Sequence, residues 1–157
     1  MGPSALISQA GAGSRSRRIL AIDYGRKRLG IAISDGLGAT AQPFATWNRS
    51  TNRRDLARLR TVCRQQEIGR IVVGWPLELG GGQGEMAHEA ARFGDRIRKQ
   101  LGLPVELVDE RLTSWEARQA LGEAEKLPSH HRQRRKMDGV AAAVILRDYL
   151  SRTAGAS

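Results

Sequence analysis

Three acidic residues of this 157-residue sequence stand where a carboxylate is awkward unless it is used. Asp23 closes the apolar run Ile19-Leu20-Ala21-Ile22, Glu110 follows the run Val105 to Val108, and Asp138 heads an Ala-rich segment near the C-terminus. Each has an ordinary explanation when taken alone: turn chemistry before a glycine, a solvated strand end, or an acid complementing a helix macrodipole. Together they read differently, because strand ends and an adjoining helix terminus meet at one edge in open α/β sheets. Clustered carboxylates repel unless a cation lies between them. A hard divalent ion, Mg²⁺ or Mn²⁺, with oxygen ligands and retained water is the economical partner. Two such ions about 3.5 to 4 Å apart would activate a water and stabilise the leaving oxygen of a phosphodiester.

The elements that must carry these acids follow from hydrophobic period. Ile19 to Ile22 is continuous and reads as a strand covered on both faces. Leu29, Ile31 and Ile33 alternate with Gly30, Ala32 and Ser34, which predicts a second strand with one bulky and one small face. The Asp35-Gly36-Leu37-Gly38 cluster supplies a turn, and Ala41 to Trp47 forms a third strand that Pro43 confines to an edge or to a strand start. Thr51 caps a helix whose inner stripe is Leu56, Leu59, Val62 and Cys63, with Arg53, Arg54, Arg58, Arg60 and Arg64 on its other faces. Ile71 to Val73 is a short buried strand, followed by a loop containing Gly80-Gly81-Gly82. Met86, Ala90, Phe93, Ile97 and Leu101 mark an amphipathic helix stopped by Gly102 and Pro104. A fifth strand covers Val105 to Val108, a short helix covers Thr113 to Leu121, and a last helix runs from about Met137 to Leu150 with Met137, Val140, Ala141, Val144 and Leu146 inward. Hairpin-linked strands followed by alternating helices and strands imply an α/β fold: a five-stranded mixed sheet, antiparallel in its first half and parallel in its second, flanked by helices.

Composition bounds the partners. Lys and Arg number 26 against 16 Asp and Glu, a formal net charge of +10, so a polyanion is expected and nucleic acid is the commonest one for a small basic domain. The single cysteine, Cys63, excludes an intramolecular disulfide and a cysteine-based zinc site, and suits a reducing, cytoplasmic location. No apolar run reaches the roughly 18 residues of a membrane helix, so no membrane partner is expected. The expected organisation is a flexible tail over 1–16, one domain over 17–151 and a flexible tail over 152–157.

The run Ile22-Asp23-Tyr24-Gly25 with Arg28-Leu29-Gly30-Ile31-Ala32, then Val72-Val73-Gly74-Trp75-Pro76-Leu77, then Val108-Asp109-Glu110-Arg111-Leu112-Thr113-Ser114, then Asp138-Gly139-Val140-Ala141-Ala142, resembles the four ordered blocks of the YqgF/RuvX family. The match covers roughly residues 18 to 151, and four blocks in order are specific where any one is not. One departure is Glu78-Leu79-Gly80-Gly81-Gly82, where the family more often has a polar turn. The resemblance implies an RNase H-like fold and a metal-dependent nuclease. The implied activity is 5′-end processing of pre-16S rRNA in ribosome biogenesis, with Holliday junction resolution on branched DNA as the alternative. It also implies Asp23, Glu110 and Asp138 as the catalytic, metal-binding acids, the residues selected above on physical grounds.

The expected phosphate contacts are Arg28, Arg111 and the loop cations Arg132, Arg134, Arg135 and Lys136. Trp75, in its Gly-Trp-Pro loop, is the tryptophan placed to stack a base, whereas Trp47 reads as core. Partners are nucleic acid, as pre-16S rRNA or branched DNA, and ribosomal subunit precursors, with the chain acting as a monomer or a homodimer. Two other classes compete: a non-catalytic nucleic-acid-binding assembly or transcription factor, and an actin-like ATPase suggested by Asp23-Tyr24-Gly25 before a hairpin. The intact set of acids weighs against the first, and the lack of room for a second lobe weighs against the second.

Overall fold

A computed structural model describes residues 17–76, 84–109 and 139–156. Its strands are β1 (Arg18–Tyr24), β2 (Arg28–Ser34), β3 (Ala41–Asn48), β4 (Ile68–Trp75) and β5 (Val105–Asp109). Its helices are α1 (Asn52–Gln65), α2 (Glu85–Leu101) and α3 (Val140–Ala156). The strands form one sheet in the order β3-β2-β1-β4-β5. β1 pairs antiparallel with β2, and β2 with β3, while β1 pairs parallel with β4, and β4 with β5. This is the mixed sheet that the hairpins and crossovers required.

The sheet is a divider between two cores, and strand alternation assigns each side chain to one of them. Leu20, Ile22, Leu29, Ile31, Ile71 and Val73 face α1 and α2, joining Leu56, Leu59, Phe93 and Ile97. Ala21, Ala32, Val72 and Val108 face α3, joining Ala142, Ile145, Leu146 and Tyr149. The small face of β2 anticipated from Gly30, Ala32 and Ser34 is therefore the face on which α3 rests. Each large aliphatic side chain buried in this way contributes about 1.5 to 3 kcal/mol.

Local chemistry explains the element ends. Thr51 caps α1, its side chain accepting from the Arg54 N–H at 3.1 Å. Gly102 ends α2 in the left-handed region at φ 71°, where glycine carries no Cβ penalty. β3 lies at the sheet edge, as Pro43 requires, and its pairing with β2 slips between Ile31 and Ala32, where Phe44 is extruded to 43% exposure. Trp47 is buried as expected, with the Arg58 guanidinium 4.3 Å over its ring. Burial pushes the Cys63 thiol up to about 11, which leaves it protonated and unreactive near neutral pH.

Three expectations need correction. The last helix does not end at Leu150 but continues to Ala156. The extra turns are supported by the Thr153 hydroxyl donating to the carbonyls of Tyr149 and Leu150, and by Arg152 pairing with Asp148 at 2.8 Å. Of its expected inward residues Val144 and Leu146 are buried, while Val140 and Ala141 are only half-buried and Ala142, Ile145 and Tyr149 complete the buried face. The start of the helix is fixed by tertiary contacts at Gly139, described below, and these set its rotation. The three residues before Ile71 also belong to β4, because Ile68 pairs with Arg18 where β1 begins.

Candidate active site at the end of the parallel strands

β1, β4 and β5 run parallel, so their C-terminal ends lie on one edge of the sheet. Asp23 is the penultimate residue of β1, and the strand's alternation puts it with Ala21 on the α3 side. It pairs with Gly30 on β2. On the other flank, Ile22 pairs with Val73, so Gly74 follows beside Asp23. Asp23 is therefore flanked by two positions without side chains.

α3 covers the Gly30 side through a glycine contact. Gly139 has φ 78°, and a Cβ there would lie 2.3 Å from the Ile31 carbonyl oxygen and 2.9 Å from that of Ala45. Its N–H donates to Thr46 Oγ1 at 2.9 Å. The helix start is thus pressed directly onto the backbones of β2 and β3. A Cβ added to Gly30 would lie 3.4 Å from Asp23 Cβ and 3.8 Å from Gly139 Cα, so those two atoms are within roughly 7 Å of each other. Gly139 follows Asp138 in the chain, and Asp109, the last residue of β5, precedes Glu110.

The end of β1 is held from beneath by Arg49, which donates to the Gly25 carbonyl at 2.9 Å and to Asp55 at 2.8 Å. Both charged side chains are nearly buried, at 11% and 5% exposure. The guanidinium also lies about 5 Å from the Tyr24 and Phe93 ring centroids. Burial works against its charge, but hydrogen bonding with Asp55 and Tyr24 outweighs this and raises its pKa above the ordinary arginine value. Gly25 itself has no room for a side chain, since a Cβ would lie 2.6 Å from the Arg28 carbonyl oxygen. The β1–β2 turn is consequently rigid at the point where Asp23 is presented.

Of the expected phosphate contacts, Arg28 is in view. It opens β2 two residues before Gly30, on the same face as Asp23, and is exposed. Arg26 in the same hairpin is otherwise engaged, bridging Glu89 at 2.6 Å and Glu85 at 3.2 Å; the Glu89 hydrogen bond raises its pKa. Trp75 is on the wrong face for stacking near Asp23, because it shares the alternation of Val73 toward α1 and α2. Glu110, Arg111, Arg132, Arg134, Arg135, Lys136 and Asp138 lie outside the described residues, as do the expected Thr113–Leu121 helix and the Gly80-Gly81-Gly82 loop. Among the described residues no group of three metal-ligating side chains occurs.

Sequence reasoning missed Arg49, Asp55, Gly139 and Thr46 as positioning residues. The available signals were a small residue following Asp138 at a helix start, and an Arg-Ser-Thr-Asn run before a helix with one acid in its first turn. Neither signal names its partner, which lies 93 residues away for Gly139 and Thr46.

A family model described as "RuvX: Holliday junction resolvase" matches residues 17–152. The chain belongs to the RuvX family. It is 44% identical over 135 residues to a protein of Koribacter versatilis named "Putative pre-16S rRNA nuclease", covering 86% of this chain and 87% of that one. It is also 44% identical over 137 residues to a protein of the same name from Anaeromyxobacter dehalogenans, covering 87% and 98%. Among solved structures, RuvC of Thermus thermophilus in complex with a Holliday junction substrate superposes with a TM-score of 0.53 at 20% identity, covering 87% of this chain and 96% of that one. That likeness is one of fold, and the RuvX domain here has the RNase H-like sheet. No helix among the described residues is long and apolar enough to cross a membrane.

Proposed function

We propose that this RuvX protein is a metal-dependent endonuclease of structured nucleic acid, with 5′-end processing of pre-16S rRNA as its principal reaction. The observation that carries the reading is the Asp23 carboxylate between Gly30 and Gly74, with the α3 start clamped beside it at the common edge of β1, β4 and β5. Covalent continuity supports the full set of acids. Successive Cα atoms are about 3.8 Å apart, so Asp138 enters from Gly139 and Glu110 from Asp109 at this same edge. Continuation of the β5 alternation past Val108 would give Glu110 the face of Asp23.

A carboxylate flanked by two glycines, with two further acids adjoining the same edge in the chain, fits a hard cation, which takes oxygen donors. Asp23, Glu110 and Asp138 would hold one or two Mg²⁺ or Mn²⁺ ions, which when bound supply water activation and charge neutralisation at the leaving oxygen. Arg28 holds a backbone phosphate beside Asp23, and Arg111, Arg132, Arg134, Arg135 and Lys136 extend the contact along the strand. Arg49 and Gly139 touch no substrate; they fix the positions from which the acids act. The catalytic domain covers 17–151 and carries the remainder of α3 with it, between an N-terminal tail over 1–16 and the last residues of the chain. Its setting is the cytoplasm, with ribosomal subunit precursors as the larger partner.

Four-way DNA junctions are the second substrate reading, favoured by the family's description and by the junction-bound RuvC of the same fold. Purified protein is incubated with precursor rRNA and with a four-way junction side by side, with Mg²⁺, with Mn²⁺ and with chelator. Cleavage of the RNA that chelator and Asp23→Asn both abolish, with binding retained, is the expected result. Chelator-resistant cleavage, or unchanged cleavage by Asp23→Asn, refutes the nuclease assignment; preferential junction cleavage moves the substrate to DNA.

A further inference from the structure

The opposite end of the sheet has a second built feature. Ile68 and Arg18 pair at the starts of β4 and β1, five residues before Asp23, or about 17 Å at roughly 3.3 Å per strand residue. A cavity of about 320 Å³ opens there between the C-terminal ends of α1 and α2. Arg17, Arg60 and Arg64 line it, and Glu67 is the single acid among its lining residues. Its apolar wall is Leu101 and Leu103, with Cys63 and Ile68 behind.

Two of these arginines are placed by the fold. The Arg17 stem lies over Gly69, where an added Cβ would approach Arg17 Cβ to 2.5 Å. Arg60 donates to the Gln100 carbonyl at 2.7 Å, which ties its guanidinium to the end of α2. Arg60 and Arg64 are also spaced i, i+4 on α1, an arrangement that repels unless an anion joins them. Three guanidinium groups against one carboxylate leave the cavity net positive. An adjoining apolar wall is what a base or ribose needs, and the volume suits one nucleotide.

We propose that this cavity binds a nucleotide, its phosphate held by Arg17, Arg60 and Arg64 and its base set against Leu101 and Leu103. The nucleotide is either free or one unit of an RNA strand. The site is independent of the chemistry at Asp23, so its test does not depend on cleavage.

Isothermal titration with 5′-AMP and with inorganic phosphate, on full-length protein, reads it directly. AMP is expected to saturate one site and to bind more tightly than phosphate. Arg64→Gln and Arg17→Ala are each expected to weaken AMP about tenfold or more, the scale of a lost charge-assisted hydrogen bond. Gly69→Ala, which evicts the Arg17 stem, is expected to act in the same direction. Arg54→Gln removes the same charge from the exposed face of α1 outside the cavity and is expected to leave AMP binding within about twofold. Absence of saturable AMP binding, equal loss in Arg54→Gln and Arg64→Gln, or phosphate binding as tight as AMP would each overturn the proposal. Competition by a short single-stranded RNA, using Asp23→Asn protein, separates the sources. Displacement of AMP assigns the cavity to the strand, and its persistence assigns it to the free nucleotide.

Discussion

Replacing Gly139 with alanine tests whether the start of α3 is fixed by backbone contact. At φ 78° an alanine is in the left-handed region, which costs about 1 to 2 kcal/mol. Its Cβ would also lie 2.3 Å from the Ile31 oxygen and 2.9 Å from the Ala45 oxygen, and both belong to paired strands that cannot rotate away. Relieving such overpacking costs about 1 to 3 kcal/mol more. The sum, about 2 to 5 kcal/mol, corresponds to a fall in Tm of roughly 5 to 15 °C in a domain of this size. Gly102→Ala is the matched control, because Gly102 has φ 71° but nothing within 4 Å of an added Cβ. It isolates the backbone cost, about 1 kcal/mol. Under the proposed nuclease reading, in which Asp138 acts next to Gly139, a displacement of about 1 Å at the helix start is expected to reduce cleavage about a hundredfold. Thermal unfolding of both variants, and cleavage by each at a temperature where both are folded, provide the measurements. If Gly139→Ala is no less stable than Gly102→Ala, or cleaves at the wild-type rate, the clamp does not exist as described.

Three other outcomes are expected. Arg49→Met strands the buried Asp55 carboxylate and should destabilise the fold by about 3 to 5 kcal/mol in urea titrations, whereas Arg49→Met/Asp55→Leu should recover part of that loss. Backbone N–H groups of Thr40, Ala39 and Gly38 hold the Asp35 carboxyl below its ordinary 3.8. A depressed folded pKa contributes stability above the unfolded value and loses it as pH falls through the folded one. The gap in unfolding midpoint between wild type and Asp35→Asn should therefore be present at neutral pH and close below 3.8; a gap unchanged in acid contradicts the assignment. Arg28→Gln should weaken nucleic-acid binding and reduce the slope of log K against log salt by about 0.7 to 0.9, read by anisotropy across a salt series.

The periodic elements were legible because their signals are local. The alternation of Leu29, Ile31 and Ile33 gave β2 both its bulky and its small face, and the second became the seat of α3. The stripe of Leu56, Leu59, Val62 and Cys63 gave α1 its buried side, and Thr51 gave its cap. Pro43 limited β3 to an edge or a strand start, since a residue without an N–H cannot serve a central ladder, and the pairing chose the edge. The last helix was legible in kind, and Val144 and Leu146 in its buried face, but not in length or exact rotation, because its end depends on Thr153 and Arg152 and its phase on Gly139.

The sequence by itself determined the order and type of the elements, which face of each strand is apolar, the excess of positive charge, and the four blocks that place the chain in its family. Tertiary structure decided which residues hold Asp23 in place: Gly30 and Gly139 by having no side chain, Thr46 by accepting one N–H, and Arg49 by tying the hairpin to α1. It also gathered Arg17, Arg60 and Arg64 around one cavity, although nothing in their spacing separates them from the other arginines. Hydrophobic period reports how each short segment divides between water and core, which a chain carries within a few residues. Close approach of backbones and convergence of charges join segments distant in sequence, and only the packed fold brings them within an ångström scale of one another.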